Sequence, residues 1–162
     1  MDKKNAMNNS IEDRLEAAVI NTYMKNRTGT LADIAPTTDA LLLPLSYNPA
    51  HAPLSPYAME ISDTLIRSGV RALMAIGGNM NEAPREEGIV ILPPILIMNE
   101  AKRSDILAAV AAWMEHRVPD AHMVVAVIVS YRPSELTYPL THLSGTAASV
   151  AAELRKRAGG GK

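Results

Sequence analysis

Apolar residues recur at helical spacing from Ile11 to Arg27, where Ile11, Leu15, Ala18, Val19, Thr22 and Tyr23 share one face. A helix is expected there, with Ser10 at its cap and Gly29 as its stop. The acids Glu12, Asp13 and Glu16 near its start and Lys25 and Arg27 near its end complement the helix dipole. Ala40 to Leu45 reads as a short strand, with Pro44 favouring an edge or a strand end, and a proline-rich loop follows over Tyr47 to Leu54. Ser55-Pro56 predicts the start of a helix running to about Ser68, with Ala58, Ile61, Leu65 and Ile66 inward. Val70 to Ile76 is the next expected strand, closed by Gly77-Gly78-Asn79, and Met80 to Gly88 is a polar loop.

Two short apolar runs, Ile89 to Leu92 and Ile95 to Met98, flank Pro93-Pro94 and are read as one bent, edge-side strand. Ser104 is expected to cap a helix from Asp105 to His116 that buries Ile106, Leu107, Val110, Trp113 and Met114. Met123 to Val129 is apolar at every position, the signature of a strand covered on both faces. Tyr131 to Leu143 reads as irregular, and a last helix over Thr146 to Arg157 carries the stripe Ala147, Val150, Ala151 and Leu154.

Between its end helices the order is strand, helix, strand, strand, helix, strand. That pattern predicts an α+β fold, an α/β sandwich with a ferredoxin-like βαββαβ core and added N-terminal and C-terminal helices. One domain is expected over residues 10–158, with a polar tail at 1–9 and a glycine-rich tail at 159–162. Helices on one side of such a sheet leave its other side open, yet the 89–98 and 123–129 runs are apolar on both sides. Either the chain's own end helices or another subunit must cover the second face. The candidate contact residues are Leu15, Val19 and Tyr23 on the first helix, Pro93, Pro94 and Ile95 on the bent strand, and Val150 and Leu154 on the last helix.

Composition narrows the chemistry. The 162 residues include no Cys, which excludes disulfides, a thiol nucleophile and thiolate metal ligation. There is no Phe, one Trp and five Tyr against nine Met, so the core must be aliphatic. A formal charge of −1 gives no net attraction to nucleic acid or anionic lipid. The polar start is unlike a signal peptide, and the longest apolar run, Ile89 to Met98, is too short to cross a bilayer. The expected location is the cytoplasm, or a virion if the chain is phage-encoded, with no membrane partner.

No catalytic constellation is legible. His51, His116, His122 and His142 form no ligand-spaced pair, so no metal site is expected. His142 and Ser144, with Asp120 or Asp105, could be imagined as a triad, but the Gly-x-Ser-x-Gly elbow is missing, and Ser144-Gly145-Thr146 reads as a helix cap. Gly77-Gly78-Asn79 matches neither phosphate-binding nor dinucleotide-binding motifs, so no cofactor is expected. Arg155, Lys156 and Arg157 are candidate phosphate contacts, although the apolar strands lack the aromatics that stack RNA bases.

The stretch from Ser55 through Gly69 to Arg71 resembles the strand–helix–Gly–strand opening of anticodon-binding domains in class II aminoacyl-tRNA synthetases. Ala111 to Arg117 is similar to a helix of phage tail-terminator proteins. Neither resemblance assigns a functional residue. The reading that follows is a non-enzymatic assembly or protein-interaction subunit, forming a homo-oligomer or part of a larger complex such as a phage virion or tail. The alternative is an RNA- or small-ligand-binding α/β module, with a small enzyme third.

Overall fold

A computed structural model describes residues 14–24, 28–45, 53–75, 82–139 and 141–159. The longest strand, β6 (Met123–Ser130), contains the fully apolar run and ends one residue beyond it, and the sheet is built around it. The other strands are β1 (Arg14–Glu16), β2 (Ala40–Leu42), β3 (Ala72–Met74), β4 (Ile89–Ile91), β5 (Ile95–Ile97), β7 (Thr137–Pro139) and β8 (Thr141–Gly145). The helices are α1 (Ala17–Met24), α2 (Leu31–Ile34), α3 (Ala58–Arg67), α4 (Arg103–Arg117) and α5 (Ala147–Ala158). The fold is α+β, with a mixed sheet of six strand segments.

Across the sheet, β3 lies beside β2, β2 beside β5 and β5 beside β6, and β8 closes the far side of β6. Neighbours β2 and β3 are parallel, as are β5 and β6, while β2 and β5 are antiparallel. Each crossover helix therefore joins adjacent strands. A ferredoxin-like sheet would split each βαβ unit by inserting a strand between its two parallel members. That expected topology is not the one adopted. Element order alone is compatible with both arrangements, because the choice between them is made by long-range pairing.

The diproline bends one strand, as its sequence predicts. Both β4 and β5 pair parallel with β6, Ile89 opposite Met123 and Ile95 opposite Ile128. Six residue steps on one strand thus face five on the other, so an extra residue bulges out around Leu92–Pro94. Prolines cannot donate to a ladder, and a bulge relieves that demand. The strand is not at the edge throughout, however. β5 sits between β2 and β6, and the Pro94 carbonyl accepts a 2.8 Å bond from the Leu43 N–H.

Side-chain alternation sends β-strand residues into two cores. Ala40, Leu42, Ile95, Ile97, Val124, Ala126 and Ile128 pack with α3, α4 and α5 on one face. Leu41, Leu43, Leu96, Met98 and Val129 pack on the other with Ala17, Ile20 and Met24 of α1, Leu31 and Ile34 of α2, and Tyr138. The chain's own N-terminal helices thus cover part of the second face. The expected long first helix is shorter: residues 14–16 form β1, antiparallel to β7, and the Ala17 N–H bonds the Leu136 carbonyl at 2.9 Å. The helix that follows buries Ala17, Ile20 and Met24 rather than the face containing Val19 and Tyr23. Residues 131–143, expected to be irregular, supply β7 and most of β8.

α5 begins at the predicted cap, where the Thr146 hydroxyl accepts from the Ser149 N–H at 3.2 Å. α4 begins earlier than expected. A 3₁₀ turn at Glu100–Lys102, capped by Asn99, leads directly into it, leaving Ser104 inside the helix. The Ser104 hydroxyl instead donates to the Ala158 carbonyl at 2.7 Å, tying the start of α4 to the end of α5. None of the helices is long and apolar enough to cross a membrane among the described residues. The expected tail at 1–9, all but Gly159 of the expected tail at 159–162, and the Gly77-Gly78-Asn79 turn lie outside the described residues.

Candidate interaction surface

The uncovered part of the second face is set by strand register. Ile89 and Ile91 of β4 stand opposite Met123 and Val125 of β6, so all four point to the same side. Ile89, Ile91 and Met123 are 36%, 38% and 42% exposed, whereas Val90 and Val124 on the opposite side are buried in the first core. Val125 and Val127 are half-buried on the same face. On β8, His142 and Ser144 pair with Val127 and Val125 and are exposed. The described helices α1 and α2 pack over Leu41, Leu96 and Val129 at the other end of the face. Among the described residues, an apolar row flanked by polar β8 side chains is left partly exposed at the β4 end.

The flank of β4 is anchored rather than bare. Ser55 is buried, and its hydroxyl donates to the Ile91 carbonyl at 2.6 Å while accepting from the Tyr57 N–H at 3.1 Å. The predicted cap therefore ties the entry of α3 to the strand, and the helix itself starts at Ala58. The preceding loop is held by Arg85. Its guanidinium lies 4.6 Å from the Tyr57 ring centroid, donates to the Pro56 carbonyl and pairs with Glu60 at 3.2 Å. Glu60 also accepts from Arg117 at 3.2 Å and from the Trp113 indole at 3.4 Å. Burial pushes the Glu60 carboxyl up, but the bonds from Arg117, Arg85 and Trp113 together bring it below its usual value.

A second polar cluster lies at the opposite end of the sheet, where β2 and β3 begin. Asp39 is buried and accepts from the Arg71 guanidinium at 2.8 and 3.2 Å, the Arg71 N–H at 2.9 Å and the Asn99 amide at 2.9 Å. The Arg71 side-chain bonds outweigh the cost of burial and, with the Arg71 N–H and Asn99, hold this carboxyl well below the usual carboxylate range. Its acceptor sites are filled by the fold, and it serves as a brace joining β2, β3 and the end of β5.

The structure separates the residues selected from sequence. Ile95, Val150 and Leu154 lie in the chain's first core, and Pro93 is buried, so none of these offers a surface. Pro94 is half-buried at the bulge. Leu15 is on β1 opposite Tyr138; Val19 is exposed, and Tyr23 is half-buried against the second core. Of the basic cluster, Arg155 pairs with Glu115 and Arg157 with Glu153, which leaves Lys156 to face solvent. Hydrogen bonds from those arginines lower both carboxyls. His116, His122 and His142 are all exposed, and His51 lies outside the described residues. No group of three or more histidine or acidic side chains forms a metal-binding cluster among the described residues. The missed residues are Ile89, Ile91 and Met123. Their two-sided apolar strands were the available signal, but sequence could not say which end of the face the helices would reach.

No known protein family, curated protein or solved structure matches the chain.

Proposed function

We propose that this protein is a non-enzymatic interaction subunit that associates through the open part of its second sheet face, with a second copy of the chain as the first partner. The observation that carries this reading is the row Ile89, Ile91 and Met123, adjacent in register and each more than a third exposed. A partly exposed apolar strand surface of this kind gains free energy when a matching apolar surface excludes water from it. The half-buried Val125 and Val127 extend the same surface toward β8, where His142 and Ser144 can form a polar rim.

Size-exclusion chromatography with light scattering tests the reading directly. A concentration-dependent dimer or larger species is expected, and the double variant I91K/M123E should shift it to monomer while keeping its circular dichroism. A chain that stays monomeric over the whole accessible concentration range would overturn self-association. So would an oligomer indifferent to both substitutions.

A further inference from the structure

The second sheet face restricts how a second copy can lie on it, given the association proposed above. Along β6 the open row is centred near Val124, and Val129, under the α1–α2 layer, is five residues further on, about 17 Å. Sheets in direct face-to-face contact lie about 10 Å apart, and a helix with its side chains is about 10 Å across. A copy laid down with its strands running the same way would stack its own α1 and α2 on these helices. Two helical layers would then hold the sheets about 30 Å apart at that end and keep the rows from touching. A copy turned end for end meets no such obstacle. Its sheet enters the layer that α1 and α2 already occupy, and the helices of each copy abut the strand ends of the other.

Charge makes the same choice. The row and its β8 flank, His142 and Ser144, hold no carboxylate, Lys or Arg, so a copy that faces itself meets no such like charges there. Glu86 and Glu87 are exposed in the turn before β4, where the Ile89 N–H bonds the Glu86 carbonyl at 3.2 Å. Same-way stacking would bring these acids of the two copies together. End-for-end stacking separates them by about 15 Å or more, beyond the Debye length of about 8 Å. It points them instead toward the partner's α1 and α2, whose one charged residue is Asp33. Size agrees, since the row is a few side chains and a standard interface has roughly 20 to 30 residues a side. End-for-end stacking adds the contacts of α1 and α2 with the partner's strand ends.

We propose that two copies join their open rows end for end, across a twofold axis that lies between the sheets, perpendicular to the strands, near Val90 and Val124. Ile89 then faces the partner's Ile91, and Met123 faces the partner's Val125. The chain has no cysteine, so one introduced cysteine carries one nitroxide per copy. Ser144→Cys lies on β8 beside the row and Thr22→Cys lies on α1, both at exposed positions. Circular dichroism checks that each labelled full chain is folded, and pulsed dipolar EPR reads the distance between copies. Ser144 labels are expected within about 25 Å and Thr22 labels beyond about 30 Å, since each α1 lies about 17 Å from the axis on opposite sides. Both signals should be lost when I91K/M123E is added. Thr22 labels within about 30 Å, with Ser144 labels close, overturn the orientation and leave this face as the interface. A dimer whose Ser144 labels lie beyond about 25 Å, or a chain that stays monomeric, overturns the orientation and the association together.

Discussion

Asp39 shows how a single side chain can carry a large share of the fold's polar energetics. It is buried and fully bonded, so Asp39→Ala leaves the Arg71 N–H and the Asn99 amide without their acceptor. A loss of about 2–4 kcal/mol is expected in urea unfolding, since half of Arg71 remains in water. The depressed acidity of Asp39 also fixes a direction with pH. A carboxyl lowered in the folded state contributes stability above its unfolded value of about 3.9, and that contribution fades as pH falls toward the folded value. Glu60 acts in the same sense from about 4.3 downward. Urea midpoints measured from pH 7 to pH 2 should therefore fall below about pH 4.5, less steeply in Asp39→Asn. A backbone position makes a second residue-scale test. Gly88 has φ +76°, its carbonyl accepts from His122 and Met123, and an added Cβ would come within 2.7 Å of the His122 ring. Gly69 has φ +84° with open space around it. Gly69→Ala should cost about 1 kcal/mol for left-handed strain, and Gly88→Ala measurably more because the His122 ring must also move.

At the scale of elements, the recurring device is a hydroxyl that joins two segments. Ser55 connects the turn before α3 to the Ile91 carbonyl, and Ser104 connects α4 to the last carbonyl of α5. The first is buried and the second exposed, so their removal should differ. Ser55→Ala leaves the buried Tyr57 N–H without its acceptor and should cost about 1–3 kcal/mol, whereas Ser104→Ala, with water able to replace the bond, should cost about 0.5 kcal/mol. Chemical denaturation of the two variants checks the ordering, and equal losses would contradict it. Both serines were legible in sequence as helix-starting signals. The carbonyls they bond were not, because each of those acceptors lies more than thirty residues away.

For the whole molecule, the sheet is the common wall of two cores. Leu96 and Ile97 are neighbours in β5 that point to opposite sides, Leu96 to the second core and Ile97 to the first. Truncating either to Ala should cost about 2–5 kcal/mol. Because the cores share one sheet, each variant should still unfold in a single transition. The only tryptophan, Trp113, lies in the first core and offers a clean probe. Its fluorescence should coincide with far-ultraviolet circular dichroism in wild type and in both variants. A second, earlier dichroism transition in Leu96→Ala would show that the α1–α2 layer unfolds by itself.

The amino-acid pattern by itself determined the class of this protein. Three helices after the first, the central apolar strand and the bent diproline strand are all legible, because each depends on local periodicity, capping or proline chemistry. The same pattern posed the problem of a second apolar face. Tertiary structure alone decided the answer: β2 pairs with both β3 and β5, α1 and α2 reach only one end of the face, and Ile89, Ile91 and Met123 stay more than a third exposed. It also turned Val150, Leu154 and Ile95 inward, although their stripes were equally consistent with an interface. The physical reason is that hydrophobic burial has no direction encoded in sequence. An apolar residue specifies that it must be covered, and only the pairing of distant strands and helices specifies by what.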